Sequence, residues 1–363
     1  MNSKSKDIVF LVGAGASAEA NIPVSAEMIT KIENLLETRP DWAPFLSLYN
    51  HVKSAIYYSA GLRGQFNDKV SYNIEVLANT LYELARNEQH PIYPFVGTWN
   101  NRFTALAGPN FGQVEKFREL ILNQLKDWVQ PEKFKKAADY YNGFRRLQQA
   151  LQFPLKIFSL NYDLCFERVV GDEEFRVETG FGREGEENSW EWRRFDEPIV
   201  ESDRPEVYLY KLHGSINWKR DTAGNLFAVD HAGSNIPASE MQVIFGREFK
   251  LEAGDPYLFY AFEFRRSTLE ARAVVVIGYG FGDDHINKML SQAVRHDGNK
   301  RIVVVANIEE AKTKDKASEV ATKLAVDASC ITIVPGTAKS FLDRADLDLV
   351  VDSFLPEAPK VEF

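Results

Sequence analysis

The chain has 363 residues, 45% of them hydrophobic, enough for one large domain or two ordinary ones with a well-buried core. A net charge of −9 argues against a surface built mainly to hold nucleic acid. Two cysteines, Cys165 and Cys330, permit neither a disulfide framework nor a four-cysteine zinc site and fit a reducing cytoplasm, and no segment approaches the roughly 18 apolar residues of a membrane span.

In chain order, Lys4 and Lys6 precede an apolar run, and Ala16-Ser17-Ala18 looks like the cleavage site of a secretory leader. The run covers only 8–12, short of the roughly 7–15 residues such a leader needs. It reads instead as a strand that enters Gly13-Ala14-Gly15-Ala16-Ser17. This is Gly-x-Gly with Ala18 in the third glycine position, an accepted variant of the dinucleotide fingerprint. Such a loop lets the backbone turn tightly and approach a ligand, while N–H groups at a following helix start hold a pyrophosphate. A tight strand-to-helix turn without a ligand would read the same way.

From 25 to 150 no strand pattern is convincing. Ile74, Leu77, Leu81 and Leu84 follow helical spacing, as do Phe117, Leu120, Ile121, Leu125 and Trp128. The spacing predicts a helical insertion after the first strand and loop. Lys133, Lys135 and Lys136 read as a solvated helix face. Further strands are expected at 155–160, 207–212, 243–245, 273–277, 302–306 and 331–334. Most are apolar throughout, which is how strands covered on both faces read, so a mainly parallel sheet flanked by helices is expected. The charged, aromatic stretch 180–203, with Trp190 and Trp192, reads as a surface excursion, and 356–363 as a loose tail.

Polar residues at strand ends are the candidate chemistry, because ligands of open α/β sheets bind beyond the carboxyl ends of the strands. The 155–160 strand ends in Asn161-Tyr162-Asp163. The Asn161 amide can hold a ribose hydroxyl or orient a water. Asp163 either bonds a ribose hydroxyl or caps the next helix. The 207–212 strand ends in His213-Gly214-Ser215, and His213 is a candidate general base because it shares the inferred crevice with Asn161. The other histidines show no ligand spacing with it, so no metal is expected. The 273–277 strand leads into Gly278-Tyr279-Gly280-Phe281-Gly282 and then Asp283, a cap for a helix whose apolar positions are Ile286, Met289, Leu290 and Ala293. Asn307, after the next strand, is either a ligand for an adenosine ribose or an ordinary turn residue. Two glycine-rich strand ends and Asn307 suit a ligand as long as a dinucleotide.

Five segments in order resemble the sirtuin superfamily: Gly13-Ala14-Gly15-Ala16-Ser17, Asn21-Ile22-Pro23, Ser159-Leu160-Asn161-Tyr162-Asp163, Lys211-Leu212-His213-Gly214-Ser215 and Gly278-Tyr279-Gly280. The resemblance implies an α/β, Rossmann-like, doubly wound NAD-binding domain over 1–24 and 150–352, a helical insertion over 25–149 and a tail over 353–363. It implies catalytic roles for Asn161 and His213. It also implies that Gly13, Ala14, Gly15, Ser17, Ile22, Pro23, Asp163, Gly278, Tyr279, Gly280 and Asn307 hold NAD. Protein deacylases of the family carry a four-cysteine zinc module and, after the Ile-Pro step, an arginine. This chain has two cysteines and continues Val24-Ser25-Ala26. Asn73-Ile74-Glu75 and the 278–287 segment resemble instead the sirtuin-like NAD hydrolases of bacterial antiphage defence.

That branch implies cleavage of the nicotinamide–ribose bond, with NAD as substrate and no zinc, in a cytoplasmic homo-oligomer. It also implies a HerA-type ATPase as candidate partner, and neither nucleic acid nor membrane. Asn161 would position water and a ribose hydroxyl, and a neutral His213 would accept a proton. Gly15→Val would weaken NAD binding by blocking backbone approach. The alternatives are a non-catalytic NAD or ADP-ribose sensor, an NAD-dependent protein deacylase, and a structural subunit with a degenerate pocket.

Overall fold

The computed structural model describes residues 8–66, 70, 72–85, 101–129, 137–171, 174–182, 189–196, 204–229, 236–237, 240–243 and 255–344. The lysine cluster at Lys133, Lys135 and Lys136, the tail, residues 4 and 6, and parts of the 180–203 excursion lie outside these residues.

The strands are β1 (Ile8–Val12), β2 (Leu155–Ser159), β3 (Val177–Glu178), β4 (Val207–Lys211), β5 (Trp218–Arg220), β6 (Leu226–Ala228), β7 (Ala273–Ile277), β8 (Arg301–Ala306) and β9 (Ile331–Pro335). Among the described residues seven of them form one sheet in the order β3-β4-β2-β1-β7-β8-β9, every neighbouring pair parallel. The chain winds outward from β1 in both directions, so the fold is a doubly wound, Rossmann-like α/β sheet. The C-terminal ends of β1 and its neighbours form the crevice where the winding reverses.

The uniform apolarity of the strands follows from cover on both faces. Ile8, Phe10 and Val12 enter one core cluster, and Val9 and Leu11 the other. The first cluster is completed by helices α1 (Ser25–Thr38), α2 (Leu46–Leu62), α3 (Ile74–Ala85), α4 (Asn101–Ala107), α5 (Gly112–Trp128) and α6 (Gly143–Leu151). Leu36, Leu77, Phe117 and Leu147 from them are buried in the same cluster as Phe10 and Ile157. After α7 (Cys165–Val169), helices α8 (Tyr257–Glu270), α9 (Asp284–His296) and α10 (Thr313–Leu324) cover the other face, and α11 (Ala338–Leu342) returns to the first. Most predicted strand boundaries agree within one residue.

Of the expected 243–245 strand only Val243 lies within the described residues, where it makes a single antiparallel bridge to Gly214. Two elements differ from the expectation for local reasons. The β5–β6 hairpin was not expected. It is three residues long on each side and is held by Asp221, whose Oδ1 accepts from the Ala223 and Asn225 amides. The two-residue edge strand β3 is too short to show a pattern. Among the described residues no helix is long and apolar enough to cross a membrane. Cys165 and Cys330 are both free and buried.

Candidate active site

Strand register brings the two candidate catalytic residues side by side. Ser159 is paired with Lys211, so Asn161 and His213 stand two residues beyond the same rung. On the other side of β2, Val12 is paired with both Ser159 and Ile277, which sets the two glycine loops beside Asn161.

The two glycine loops pack directly on each other. The Gly13 N–H donates to the Ile277 carbonyl at 2.9 Å and the Gly15 N–H to the Gly278 carbonyl at 2.8 Å. A methyl on Gly13 would lie 2.8 Å from the Gly278 oxygen, and one on Gly15 2.9 Å from the same atom. Gly278, at φ +68°, leaves no room for a side chain against the Ala16 amide nitrogen. These glycines are therefore required by backbone meeting backbone. Gly15→Val would therefore disturb this packing, besides any effect on a ligand in the cavity that Gly15 lines. The Ala16 and Ser17 amides are likewise engaged, donating to Gly13 and Ala14. Gly280 and Gly282 differ, because nothing lies within 4 Å of a methyl built on either and both line the cavity.

Ser17 sits beneath the loop, wholly buried. Its hydroxyl donates to Asp163 Oδ2 at 2.8 Å and accepts from Asn161 Nδ2 at 3.1 Å. The Tyr141 hydroxyl lies 2.8 Å away and must donate, since the single Ser17 proton is engaged with Asp163. This chain of bonds fixes which way the Asn161 amide points. Its nitrogen is held from below, and its buried Oδ1 has no hydrogen-bond partner among the described residues. Asp163 Oδ1 accepts from the Cys165 amide at 3.0 Å at the start of α7. Of the two roles open to Asp163, the structure shows the helix start, with Ser17 as a second partner.

His213 is 2% exposed, and its Nε2 lies 3.1 Å from Asp283 Oδ2. The other Asp283 oxygen accepts from the His285 and Ile286 amides, so the same carboxylate caps α9. A neutral imidazole here donates Nε2–H to Asp283 and leaves a lone pair on Nδ1, which is buried and has no partner among the described residues. Burial disfavours the imidazolium, but the Asp283 hydrogen bond and the charges of Glu75 and Asp283 outweigh it, and the His213 pKa is raised. Burial likewise opposes the Asp283 carboxylate, yet the hydrogen bond and charge of His213 pull its pKa down. Glu75, from the first turn of α3, lines the same cavity. Burial raises its pKa, His213 opposes that and Asp283 adds to it.

Lys211 fastens the two polar strand ends from below. It is 2% exposed, and its Nζ donates to the Asp163 carbonyl, to Glu167 at 2.9 Å and to Ser215 Oγ at 2.9 Å. The Tyr279 hydroxyl braces the second glycine loop, accepting from the Asp283 amide at 3.1 Å.

These elements enclose a cavity of about 480 Å³, the size of a cofactor pocket. Asn161, His213, Gly13, Ala14, Gly15, Ile22, Pro23, Asp163, Gly278, Tyr279 and Gly280 all line it. Ser17 lies under its floor, and Asn307 is exposed at the end of β8, outside the lining. Residue types alone did not assign roles here to Asp283, Glu75 or Gly282. Asp283 reads in the sequence as a helix cap, and Glu75 arrives from the helical segment only through the fold. Among the described residues the charged groups of the lining are Glu75, Asp163, Asp283 and His213, with no lysine or arginine.

Residues 155–327 match the family model for the SIR2-like domain. That SIR2-like segment runs from β2 through α10 and contains Asn161, His213 and Asp283. No curated protein sequence matches the chain. Among solved structures it is similar to a Sir2 homologue in complex with NAD, with 15% identity, 97% of this chain and 91% of that one covered, and a TM-score of 0.44. It is similar to a Sir2 homologue mutant with ADP-ribose, with 15% identity, 97% and 94% covered, and a TM-score of 0.44. It is also similar to Sir2Tm bound to a propionylated peptide, with 10% identity, 96% and 94% covered, and a TM-score of 0.39.

Proposed function

We propose that the cavity binds NAD and that the chain hydrolyses it at the nicotinamide–ribose bond. One observation carries this reading. Two buried polar atoms without partners among the described residues, Asn161 Oδ1 and His213 Nδ1, line one cavity at the switch point of a doubly wound sheet. Both are acceptors, and ribose hydroxyls and water are donors that fit them. The Gly280 and Gly282 turn offers an open backbone for the rest of the dinucleotide.

In the reaction the bond from the anomeric carbon to the nicotinamide nitrogen breaks, and its electron pair stays on the nitrogen. Nicotinamide therefore leaves neutral and needs no acid. The oxygen of a water, oriented by Asn161 Oδ1, bonds to the anomeric carbon. The proton that water loses passes to His213 Nδ1 and from there to solvent. Asp283 holds the imidazole in the tautomer that makes this transfer workable. The products are nicotinamide, ADP-ribose and one proton.

The test is nicotinamide release from NAD by the purified protein. Asn161→Ala and His213→Ala are each expected to lower the rate by about 10²–10⁴-fold, the usual contribution of a positioned base, with the circular dichroism spectrum unchanged. Undiminished release from either folded variant would remove that residue from the chemistry. Binding of NAD without release, in the chain alone and in any assembly it forms, would replace the hydrolase with a sensor. NAD-dependent turnover of an acyl peptide would revive the deacylase reading. The setting we propose is NAD depletion in antiphage defence by a cytoplasmic homo-oligomer with a HerA-type ATPase partner. It rests on the resemblance of the 73–75 and 278–287 segments.

A further inference from the structure

The cavity is unusual in its charge. Three carboxyl groups and one histidine face it, and among the described residues no lysine or arginine does. Two of the carboxyls already have hydrogen-bond partners. Asp163 is held by Ser17 and the Cys165 amide, and Asp283 by His213 and the start of α9. Glu75 has no hydrogen-bond partner among the described residues, and it lines the cavity from the first turn of α3. Asn161 and His213, whose Oδ1 and Nδ1 are buried acceptors without partners among the described residues, line the same cavity, and the charges of His213 and Asp283 act on Glu75.

We propose that Glu75 reads the positive charge of the oxidised nicotinamide ring and so makes the site selective for NAD over its reduced form and over ADP-ribose, an inference that rests on the dinucleotide reading above. The scissile bond must lie at Asn161 and His213, and the pyridinium nitrogen is one end of that bond. Glu75 lines the same cavity as Asn161 and His213, so a ring held at those two residues shares that cavity with its carboxylate. Glu75 is part-buried, and a carboxylate drawn out of water without a hydrogen bond is costly. Burial raises its pKa, His213 opposes that, and a pyridinium would add a further counter-charge. The neutral dihydropyridine of NADH supplies none, and ADP-ribose, the product, has no ring at all. The same carboxylate thus favours substrate over product, which keeps the site from filling with ADP-ribose as turnover proceeds.

The experiment is calorimetric binding of three ligands to the wild-type chain and to Glu75→Gln. The ligands are carba-NAD, NADH and ADP-ribose. Carba-NAD keeps the pyridinium but carries a methylene in place of the ribose ring oxygen, so it resists cleavage. The wild type is expected to bind carba-NAD about tenfold tighter than NADH, a difference of about 1.4 kcal/mol. In Glu75→Gln that ratio is expected to fall to near unity, with ADP-ribose affinity unchanged, which shows the cavity intact. A preference for carba-NAD that survives in Glu75→Gln overturns the proposal and leaves the dinucleotide reading standing. So does a wild type that binds carba-NAD and NADH alike. Equal weakening of all three ligands in Glu75→Gln makes Glu75 structural and overturns the proposal. Failure of the wild type to bind any of them overturns the dinucleotide reading, and this inference with it.

Discussion

Asp283 performs two tasks with one carboxylate: Oδ1 starts α9 and Oδ2 holds His213. The two tasks make opposite predictions for stability and for activity across pH. The folded-state pKa of His213 is raised, so its contribution to stability is complete below about 6.5, the ordinary imidazole value, and is lost as pH rises through the raised pKa. Glu75, with its raised pKa, adds in the same direction over its own range. Asp283 is lowered, so its contribution is present above about 3.9 and is lost as pH falls through the lowered value. Urea denaturation is therefore expected to show the unfolding free energy falling from about pH 6 upward. His213→Gln should fall less over the same interval. In the proposed reaction nicotinamide release needs the unprotonated Nδ1 and should rise over the interval in which stability falls. A rate that declines with pH there would contradict His213 as the base. The sequence alone led to a neutral histidine and a capping aspartate. It could not show their contact, because the second carboxylate oxygen becomes a ring partner only when β4 and β7 are set two strands from each other across β2 and β1.

At the scale of elements, the glycine loops illustrate what sequence reading reached and what it missed. Strands β1, β2, β4, β7, β8 and β9 were legible because burial on both faces leaves an unbroken apolar run. The β5–β6 hairpin and β3 carried no such run. The Gly-x-Gly motif was legible too, but its cause was not. Its glycines fit against Gly278, from the far end of the chain, and no local pattern encodes that meeting. The consequence separates two kinds of glycine. Gly15→Ala forces the methyl against the Gly278 oxygen and is expected to lower stability by about 1–3 kcal/mol, as overpacking does. Gly280→Ala meets nothing among the described residues and should leave the denaturation midpoint nearly unchanged while weakening the proposed NAD binding. Equal loss of stability in both variants would mean that Gly280 also serves the fold. Equal ligand affinity in Gly280→Ala and the wild type would remove this turn from the dinucleotide site.

For the molecule as a whole, the decisive feature is the shared core. Leu77 from α3 and Phe117 from α5 are fully buried in the same cluster as β1 and β2 residues, and Glu75 on α3 lines the cavity. The helical segment was legible as helices from its spacing. Its role as one face of the sheet's core was not, because helical periodicity marks an apolar side without naming what that side meets. Leu77→Ala is expected to cost about 2–5 kcal/mol, the range for a large-to-small change in a packed core. Because the cluster is continuous, the loss should appear as an earlier unfolding of sheet and helices together. Tryptophan fluorescence and far-ultraviolet circular dichroism should give one midpoint. Two separate midpoints would show that the helical segment unfolds on its own.

The interlocked glycine loops also decide where the site can give way. Gly13, Gly15 and Gly278 join β1 to β7 across the line where the two halves of the sheet diverge, with amides engaged and no space left between the chains. That seam is a floor with no slack. A ligand in this cavity would meet that seam as a rigid surface, while Ile22, Pro23, Met28, Tyr72, Asn73 and Glu75 complete the lining from outside the strand ends. On the proposed reading, the strand ends are the rigid side of the site, and any adjustment to a dinucleotide falls to the side that α1 and α3 supply.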